Sequence, residues 1–150
     1  MTPDSDLVVQ VTVGACTAVS GDLLERAVRE TFAAGGGGPG EISLTLLGDG
    51  AIRILNRDYL GEDRVTDVLA FSLGTGSRSV GDVYVGADQA ARQAADYGVS
   101  VAEELVRLTI HGTLHVLGHE HPEGPERTES PMYRMQEALV AKLVGPLSEL

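Results

Sequence analysis

The sequence has no tryptophan, one lysine and one cysteine. The scarcity of cysteine and the scarcity of positive charge each argue against a class of protein. The lone Cys16 cannot form a disulfide within the chain, which excludes a disulfide-stabilised secreted fold and favours a reducing compartment. No apolar run approaches the roughly 20 residues that a membrane-spanning helix needs. The N-terminal stretch MTPDSDLVV also lacks the basic start of a secretory signal. We therefore expect a soluble, cytoplasmic protein without a membrane partner.

Positive charge is scarce as well, because 11 lysines and arginines face 22 aspartates and glutamates, for a net charge of −11. Such a composition disfavours a protein that coats nucleic acid, since phosphate binding needs a positive surface. It does not forbid a local basic cleft. Arg53, Arg57 and Arg64 lie close enough in sequence to supply one.

The length of the chain and its hydrophobic content of 43% suit a single domain spanning residues 1–150. Alternating and helical apolar spacings predict the order β-α-β-α-β-β-α-α-α. The strands are expected at 7–13, 41–47, 67–73 and 80–86, and the helices at 20–34, 48–60, 87–98, 100–118 and 127–144. Ser20, Asp49 and Ser100 are the candidate N-caps. The expected fold is α+β, with a mixed four-stranded sheet packed with about five helices; the last two strands should form an antiparallel hairpin.

All four histidines of the chain lie in the stretch RLTIHGTLHVLGHEHPEG. His111 and His115 are four residues apart in a predicted helix and therefore share one face. Gly118 can end that helix in a left-handed conformation, so that the chain turns back and brings His121 to the same place. The spacing H-x3-H-x5-H, with this glycine, matches the zinc ligands of the metzincin pattern. Three imidazoles suit Zn²⁺ and leave one position open, whereas His119 is expected at the rim.

Gly112 occupies the position where a metzincin has its glutamate general base, so peptide hydrolysis by that route is disfavoured. Water bound to the metal could still act as a nucleophile, because Zn²⁺ lowers its pKa to about 7. Four other carboxylates are candidates for a base or an orienting group: Glu104, Glu120, Asp67 and Asp82. A structural zinc site is the alternative, although such sites are usually closed by four ligands.

Several segments resemble one known family. HGTLHVLGHEH is similar to the H-G-x-L-H-L-x-G-x-D-H signature of the YbeY family, the bacterial rRNA maturation factors and metal-dependent endoribonucleases. LNRDYLGEDRVTDVLAF, VGDVYVG, QAADYGVSVAEELVRLTIHG and MYRMQEALVAKL resemble further segments of that family, so the likeness covers about residues 41–143. It implies a zincin-like helix and one Zn²⁺ held by His111, His115 and His121. It also implies a cytoplasmic, single-strand-specific endoribonuclease.

The resemblance further implies a role in 16S rRNA 3′-end maturation and ribosome quality control. Its partners would be ribosomal RNA, the small ribosomal subunit and an assembly GTPase. One departure concerns the substrate, because the family usually has an arginine at the position of Leu60. Arg57 or Arg64 would then contact the phosphate, and Asp67 and Asp82 would orient the metal-bound histidines.

Two other functions remain open at this point. The first is a ribosome-assembly factor whose zinc site is mainly structural. The second is a metal-dependent hydrolase of a substrate other than RNA. The nucleophile of an RNA cleavage, water or the 2′-hydroxyl, is also left open by the sequence.

Overall fold

The computed structural model describes residues 6–74, 77–121 and 124–148, and these form four strands and five α-helices. The elements are β1 (Leu7–Thr12), α1 (Gly21–Gly35), β2 (Gly40–Leu47), α2 (Asp49–Leu60), β3 (Val68–Ser72), β4 (Ser79–Gly86), α3 (Ala87–Tyr97), α4 (Val101–Val116), a short 3-10 helix (Pro125–Glu129) and α5 (Pro131–Ser148). The expected α+β class and the order of the strands and α-helices are confirmed.

The four strands form one mixed sheet in the order β1-β2-β4-β3. β2 pairs in parallel with β1 on one side and with β4 on the other. β3 pairs with β4 in the antiparallel sense, with Ala70 opposite Val83. The expected hairpin is therefore confirmed, although residues 75 and 76 of its loop lie outside the described residues. β3 is an edge strand of the sheet, and one of its faces packs against α4.

Helices α1 and α4 cover one face of the sheet, where Ile42, Leu44 and Val83 are fully buried, and α5 packs against these two helices. α4 crosses the middle of this layer and is apolar around most of its circumference. Such a helix is stable only when it is enclosed, and α4 packs against α1, α3, α5 and the strands β3 and β4. Because of this enclosure, α4 gives its histidines a rigid support.

Gly112 allows α4 to lie close to the sheet. A Cβ atom at this position would come within 2.6 Å of Cγ1 of Val83 and 3.1 Å of Cγ2 of Val68. The first distance is too short for any carbon contact, so a larger residue would have to push the helix and the strands apart. The residue that replaces the metzincin base thus has a packing role in this fold.

Two of the predicted caps are confirmed and one is wrong. The hydroxyl groups of Ser20 and Ser100 accept hydrogen bonds from the backbone N–H groups three residues later. The N-cap of α2 is instead Gly48, and Asp49 is the first helical residue. The backbone N–H of Asp49 donates to the carboxylate of Asp88, so a side chain from α3 satisfies the helix end.

The last helix also begins later than predicted, at Pro131 instead of residue 127. The Ser130 hydroxyl accepts a hydrogen bond from the backbone N–H of Tyr133, as an N-cap does. Pro131 suits the first helical position, because the proline ring fixes φ and the missing N–H is not needed there. The preceding residues form the 3-10 helix, which borders the site described below.

In the described part of the chain, none of the helices combines the length and the apolar character that crossing a membrane requires.

Candidate metal centre and its cleft

Three histidines converge at the C-terminal end of α4. His111 and His115 lie one turn apart on this helix, and Gly118, with φ of +92°, lets the chain reverse just after it. The reversal returns His121 to the same place, where one possible ligand nitrogen from each ring lies within 4.8 Å of the other two. The Nε2 atoms of His111 and His115 are 3.0 Å apart. The convergence predicted from the spacing is what the structure shows.

The surroundings of these rings favour the neutral imidazole, which is the form that binds metals. Burial lowers the pKa of His111 to about 4, against the opposing hydrogen bond with Gln136, and positive charge at the neighbouring Arg127 or on a protonated His115 or His121 acts in the same direction as burial. Burial also lowers the pKa of His115. At neutral pH both rings are therefore uncharged and can offer a lone pair to a cation.

His119 lies outside this group. Its Nε2 is 2.9 Å from the carbonyl oxygen of Gly35, and since a carbonyl can only accept, the imidazole donates. This bond ties the turn after α4 to the C-terminal end of α1. The backbone of His119 raises the pKa of the His115 ring, and His119 itself adds no fourth ligand to the three histidines.

A wide cleft of about 1130 Å³ opens beside the three histidines. Its wall is built from the start of β3, from α3, α4 and α5, and from the 3-10 helix. This volume exceeds the ~300–1,000 Å³ of ordinary small-molecule pockets, which suits a polymeric substrate. Two tyrosines line it, Tyr97 and Tyr133, and of these Tyr97 is exposed.

Of the predicted carboxylates, only Asp67 and Glu104 line the cleft. Both oxygens of Glu104 are already engaged, one by Arg107 Nη1 at 2.8 Å and the other by Gln93 Nε2 at 2.9 Å. Glu104 therefore serves as a structural group and is a poor base. Glu120 is exposed and outside the group that could hold a metal, although its charge raises the pKa of His115.

Asp82 lies on the wrong face of the sheet for its predicted role. Successive side chains of a strand point to opposite faces, and the neighbouring Val83 faces α4, where it meets Gly112. Asp82 consequently points away from the helix that carries His111 and His115. The sequence could not show this, because the facing of β4 depends on how the sheet packs.

The predicted phosphate-binding arginines are also not in the cleft. Arg57 and Arg64 are both exposed, and each forms an ion pair with an acidic neighbour in sequence, Asp58 and Glu62. Leu60, where the resemblance implied an arginine, is 55% exposed and is not among the cleft residues either. All three belong to the end of α2 and the turn after it, which the fold places away from α4.

Arg127 takes the place that the sequence assigned to these arginines. It lines the cleft from the 3-10 helix, and its charge lowers the pKa of both His111 and His115. Among the residues that the structure describes, no carboxylate forms an ion pair with it, unlike the arginines of α2. Nothing in the local sequence ERTE singles out Arg127, because only the fold of the segment after His121 brings it to the histidines.

A second arginine, Arg107, anchors a cluster of carboxylates in the cleft wall. It bonds Glu103 and Glu104 of its own helix, at 3.0 and 2.8 Å, and binds Glu137 of α5 through two nitrogens, at 2.9 and 3.0 Å. Burial raises the pKa of Glu137, but the hydrogen bonds from Arg107 and Gln136 outweigh it and the net pKa is lowered. The cluster clamps α4 to α5 beside the histidines.

Comparison with known proteins identifies relatives over most of the chain. A family model described as endoribonuclease YbeY matches residues 9–144. A protein named endoribonuclease YbeY from Desulfitobacterium hafniense is 44% identical over 69% of this chain and 71% of its own length. A protein of the same name from Roseiflexus castenholzii is 37% identical over 90% of this chain and 91% of its own length.

A solved structure shares the fold. The solution structure of a protein from Thermotoga maritima superposes with a TM-score of 0.63, covering 95% of this chain and 93% of that one, at 24% sequence identity. The arrangement of a mixed sheet and its helices is therefore one that has been observed by experiment.

Proposed function

Because the chain belongs to the family of the endoribonuclease YbeY, we propose that it is a zinc-dependent endoribonuclease that cleaves single-stranded ribosomal RNA. The observation that carries the proposal is the group of three converging histidines at the edge of a wide cleft. We further propose that it acts in 16S rRNA 3′-end maturation and in ribosome quality control, with the small ribosomal subunit and an assembly GTPase as partners.

Zinc fits the donors that the structure presents. Three imidazole nitrogens within 4.8 Å of one another match the three-histidine set of catalytic zinc sites, which keep a further position open. The lowered pKa values of His111 and His115 remove the competition from protons at neutral pH. None of the described carboxylates or the Cys16 thiol joins the group as a fourth ligand, which argues against a closed structural site.

When bound, the ion would supply Lewis acidity toward a phosphate oxygen and would lower the pKa of a coordinated water. The chain's own residues supply the rest. Arg127 would pair with the scissile phosphate, since charge-assisted bonds to phosphate are strong. Asp67, a cleft residue that makes no ion pair with other described residues, would orient the attacking group or accept its proton.

The cleft favours single-stranded RNA over a duplex. Proteins that bind single strands stack unpaired bases on aromatic side chains, and Tyr97 and Tyr133 line the same cleft as Arg127. The overall charge of −11 indicates that few phosphates are contacted. Recognition would thus be confined to a short strand threaded past the histidines.

The direct test uses purified protein and a precursor of small-subunit rRNA. We expect cleavage with zinc, none after chelation, and recovery when zinc is returned, with the cut positions mapped by primer extension. The chemistry of the 3′ end of the upstream fragment decides the nucleophile, because attack by the 2′-hydroxyl leaves a 2′,3′-cyclic phosphate there. Cleavage that persists in the zinc-free protein would contradict the proposed chemistry.

Two features favour a second function, a ribosome-assembly factor with a mainly structural zinc site. Leu60 stands where the resemblance to the family implies an arginine, and the net charge of the chain is −11. This function predicts that the protein sediments with small subunits but leaves the precursor RNA intact with or without metal.

Arg127 gives a sharper prediction about the substrate. Replacing Arg127 by glutamine should weaken RNA cleavage by roughly 10- to 100-fold, the loss expected for one charge-assisted hydrogen bond of ~1.5–3 kcal/mol. It should also reduce the salt slope of RNA binding by about 0.7, the value for one phosphate of a single strand. A cleavage assay measures the first quantity, and RNA binding followed by fluorescence anisotropy at several salt concentrations gives the second.

Arg64→Gln is the matched control, because Arg64 is exposed and outside the cleft. It should leave cleavage and the salt slope at the values of the unmodified protein. A larger effect of Arg64→Gln than of Arg127→Gln would mean that the RNA follows the turn after α2 instead of the cleft.

A further inference from the structure

The His111 ring makes a hydrogen bond on the side away from the other histidines. Its Nδ1 lies 2.7 Å from Oε1 of Gln136, a residue of α5 that is only 3% exposed. A side-chain amide can present either an oxygen or an NH₂ group to a neighbour. The direction of this bond therefore depends on what holds the Gln136 amide.

Glu137 determines the orientation of that amide. The Nε2 atom of Gln136 lies 3.0 Å from Oε2 of Glu137, and a carboxylate can only accept. The same carboxylate accepts two hydrogen bonds from Arg107, through Nε at 2.9 Å and Nη2 at 3.0 Å, so it is held ionised and in place. The NH₂ group of Gln136 must face Glu137, and its oxygen must face His111.

The tautomer of His111 follows from this orientation. An amide oxygen accepts, so Nδ1 of His111 carries the proton and donates it. In a neutral ring the other nitrogen, Nε2, then carries the lone pair. Nε2 is the atom that lies 3.0 Å from Nε2 of His115, inside the three-histidine group.

We propose that Gln136 is a positioning residue for the metal centre, oriented by Glu137 and Arg107, and that this relay holds His111 in the tautomer whose Nε2 is free to bind a cation. Reversing the amide would direct an NH₂ group at Nδ1 and move the proton to Nε2, where the ligand lone pair is needed. The consequence for metal affinity rests on the proposed zinc site, whereas the tautomer does not.

The relay spans two helices and 30 residues of sequence. Arg107 and His111 are one turn apart on α4, and Gln136 and Glu137 are adjacent on α5, so the helix clamp and the tautomer control share the same side chains. Partners of this kind typically change metal affinity by about 10- to 100-fold when they are removed.

The first test is nitrogen NMR of the metal-free protein at neutral pH, which distinguishes protonated from unprotonated imidazole nitrogens. In the unmodified chain, His111 should show a protonated Nδ1 and an unprotonated Nε2. A spectrum with the proton on Nε2 overturns the proposal without reference to zinc or RNA.

The second test compares variants of similar size. Gln136→Met removes the acceptor and should give mixed His111 tautomers and zinc affinity about 10- to 100-fold lower by competition with a chromophoric chelator. Arg134→Met, an exposed change on the same helix, should alter neither.

Two results in these variants would contradict the role proposed for Gln136. Unchanged tautomer and affinity in Gln136→Met would overturn the proposal, as would an equal loss in Arg134→Met. Should Gln136→Met fail to fold, Glu137→Gln provides the same comparison, because a neutral amide there no longer dictates the orientation of Gln136. Failure to cleave RNA would contradict the proposed function but leave these readouts intact.

Discussion

Replacing His115 by alanine is expected to abolish stoichiometric zinc binding and to lower RNA cleavage by at least about 100-fold. The loss of a direct ligand should exceed the 10- to 100-fold effect of removing a supporting group. His115 contributes one of three nitrogens that lie within 4.8 Å of one another, and the remaining two cannot complete a three-histidine site. Metal content by mass spectrometry and cleavage of the rRNA precursor measure both effects on the same preparation.

His119→Ala is the control for this experiment, because it removes an imidazole only four residues along the chain. That ring bonds to the carbonyl of Gly35 and is not part of the group. We expect zinc content to stay near one ion per chain and cleavage to persist. Equal loss in the two variants would refute the assignment of the ligands, and full cleavage by zinc-free His115→Ala would refute the chemistry.

Replacing Arg107 by methionine is expected to lower the free energy of unfolding by roughly 3–5 kcal/mol, the cost of removing one partner from a buried ion pair. The Glu104 side chain is only 3% exposed and would keep a charge with no cation beside it. Methionine retains most of the apolar contact of the arginine stem, so the loss of unfolding free energy measures the effect of removing the charge. Urea unfolding followed by circular dichroism gives the change in midpoint and slope.

Arg92→Met is the matched control. Arg92 binds Asp49 with two nitrogens, at 3.0 and 2.8 Å, but both partners are exposed to solvent. Exposed pairs of this kind contribute little because water screens them, so the midpoint should move little. Similar losses in the two variants would show that burial does not set the contribution of the Arg107 cluster.

The Arg107 cluster also has a predictable pH dependence. Glu137 has a lowered pKa in the folded protein, so its contribution to stability is present above the unfolded pKa and is lost as the pH falls through the folded value. Without Arg107 the folded pKa of Glu137 should rise, because burial then acts with less opposition, and the acid-side loss linked to this group should shrink or change sign. Urea midpoints of Arg107→Met and the unmodified chain across the acid range test this sign.

Local patterns in the sequence were sufficient for the elements and the ligands. Ser100 caps α4 because its hydroxyl reaches a backbone N–H three residues on, and helical spacing places His111 and His115 on one face. Gly118 ends that turn because glycine tolerates a positive φ. These relations depend on neighbours within a few residues, which is why the sequence alone determined them.

The rest of the site depended on contacts between distant segments. Arg127 replaced Arg57 and Arg64 in the cleft, and Asp82 turned away from the histidines, because the packing of the 3-10 helix and the facing of β4 are set by the whole fold. The Gln136 hydrogen bond joins residues 25 apart in sequence. The sequence by itself therefore determined which imidazoles could bind a metal. Only the tertiary structure decided which charges and hydrogen-bond partners surround them, since those come from helices that meet through burial of apolar surface.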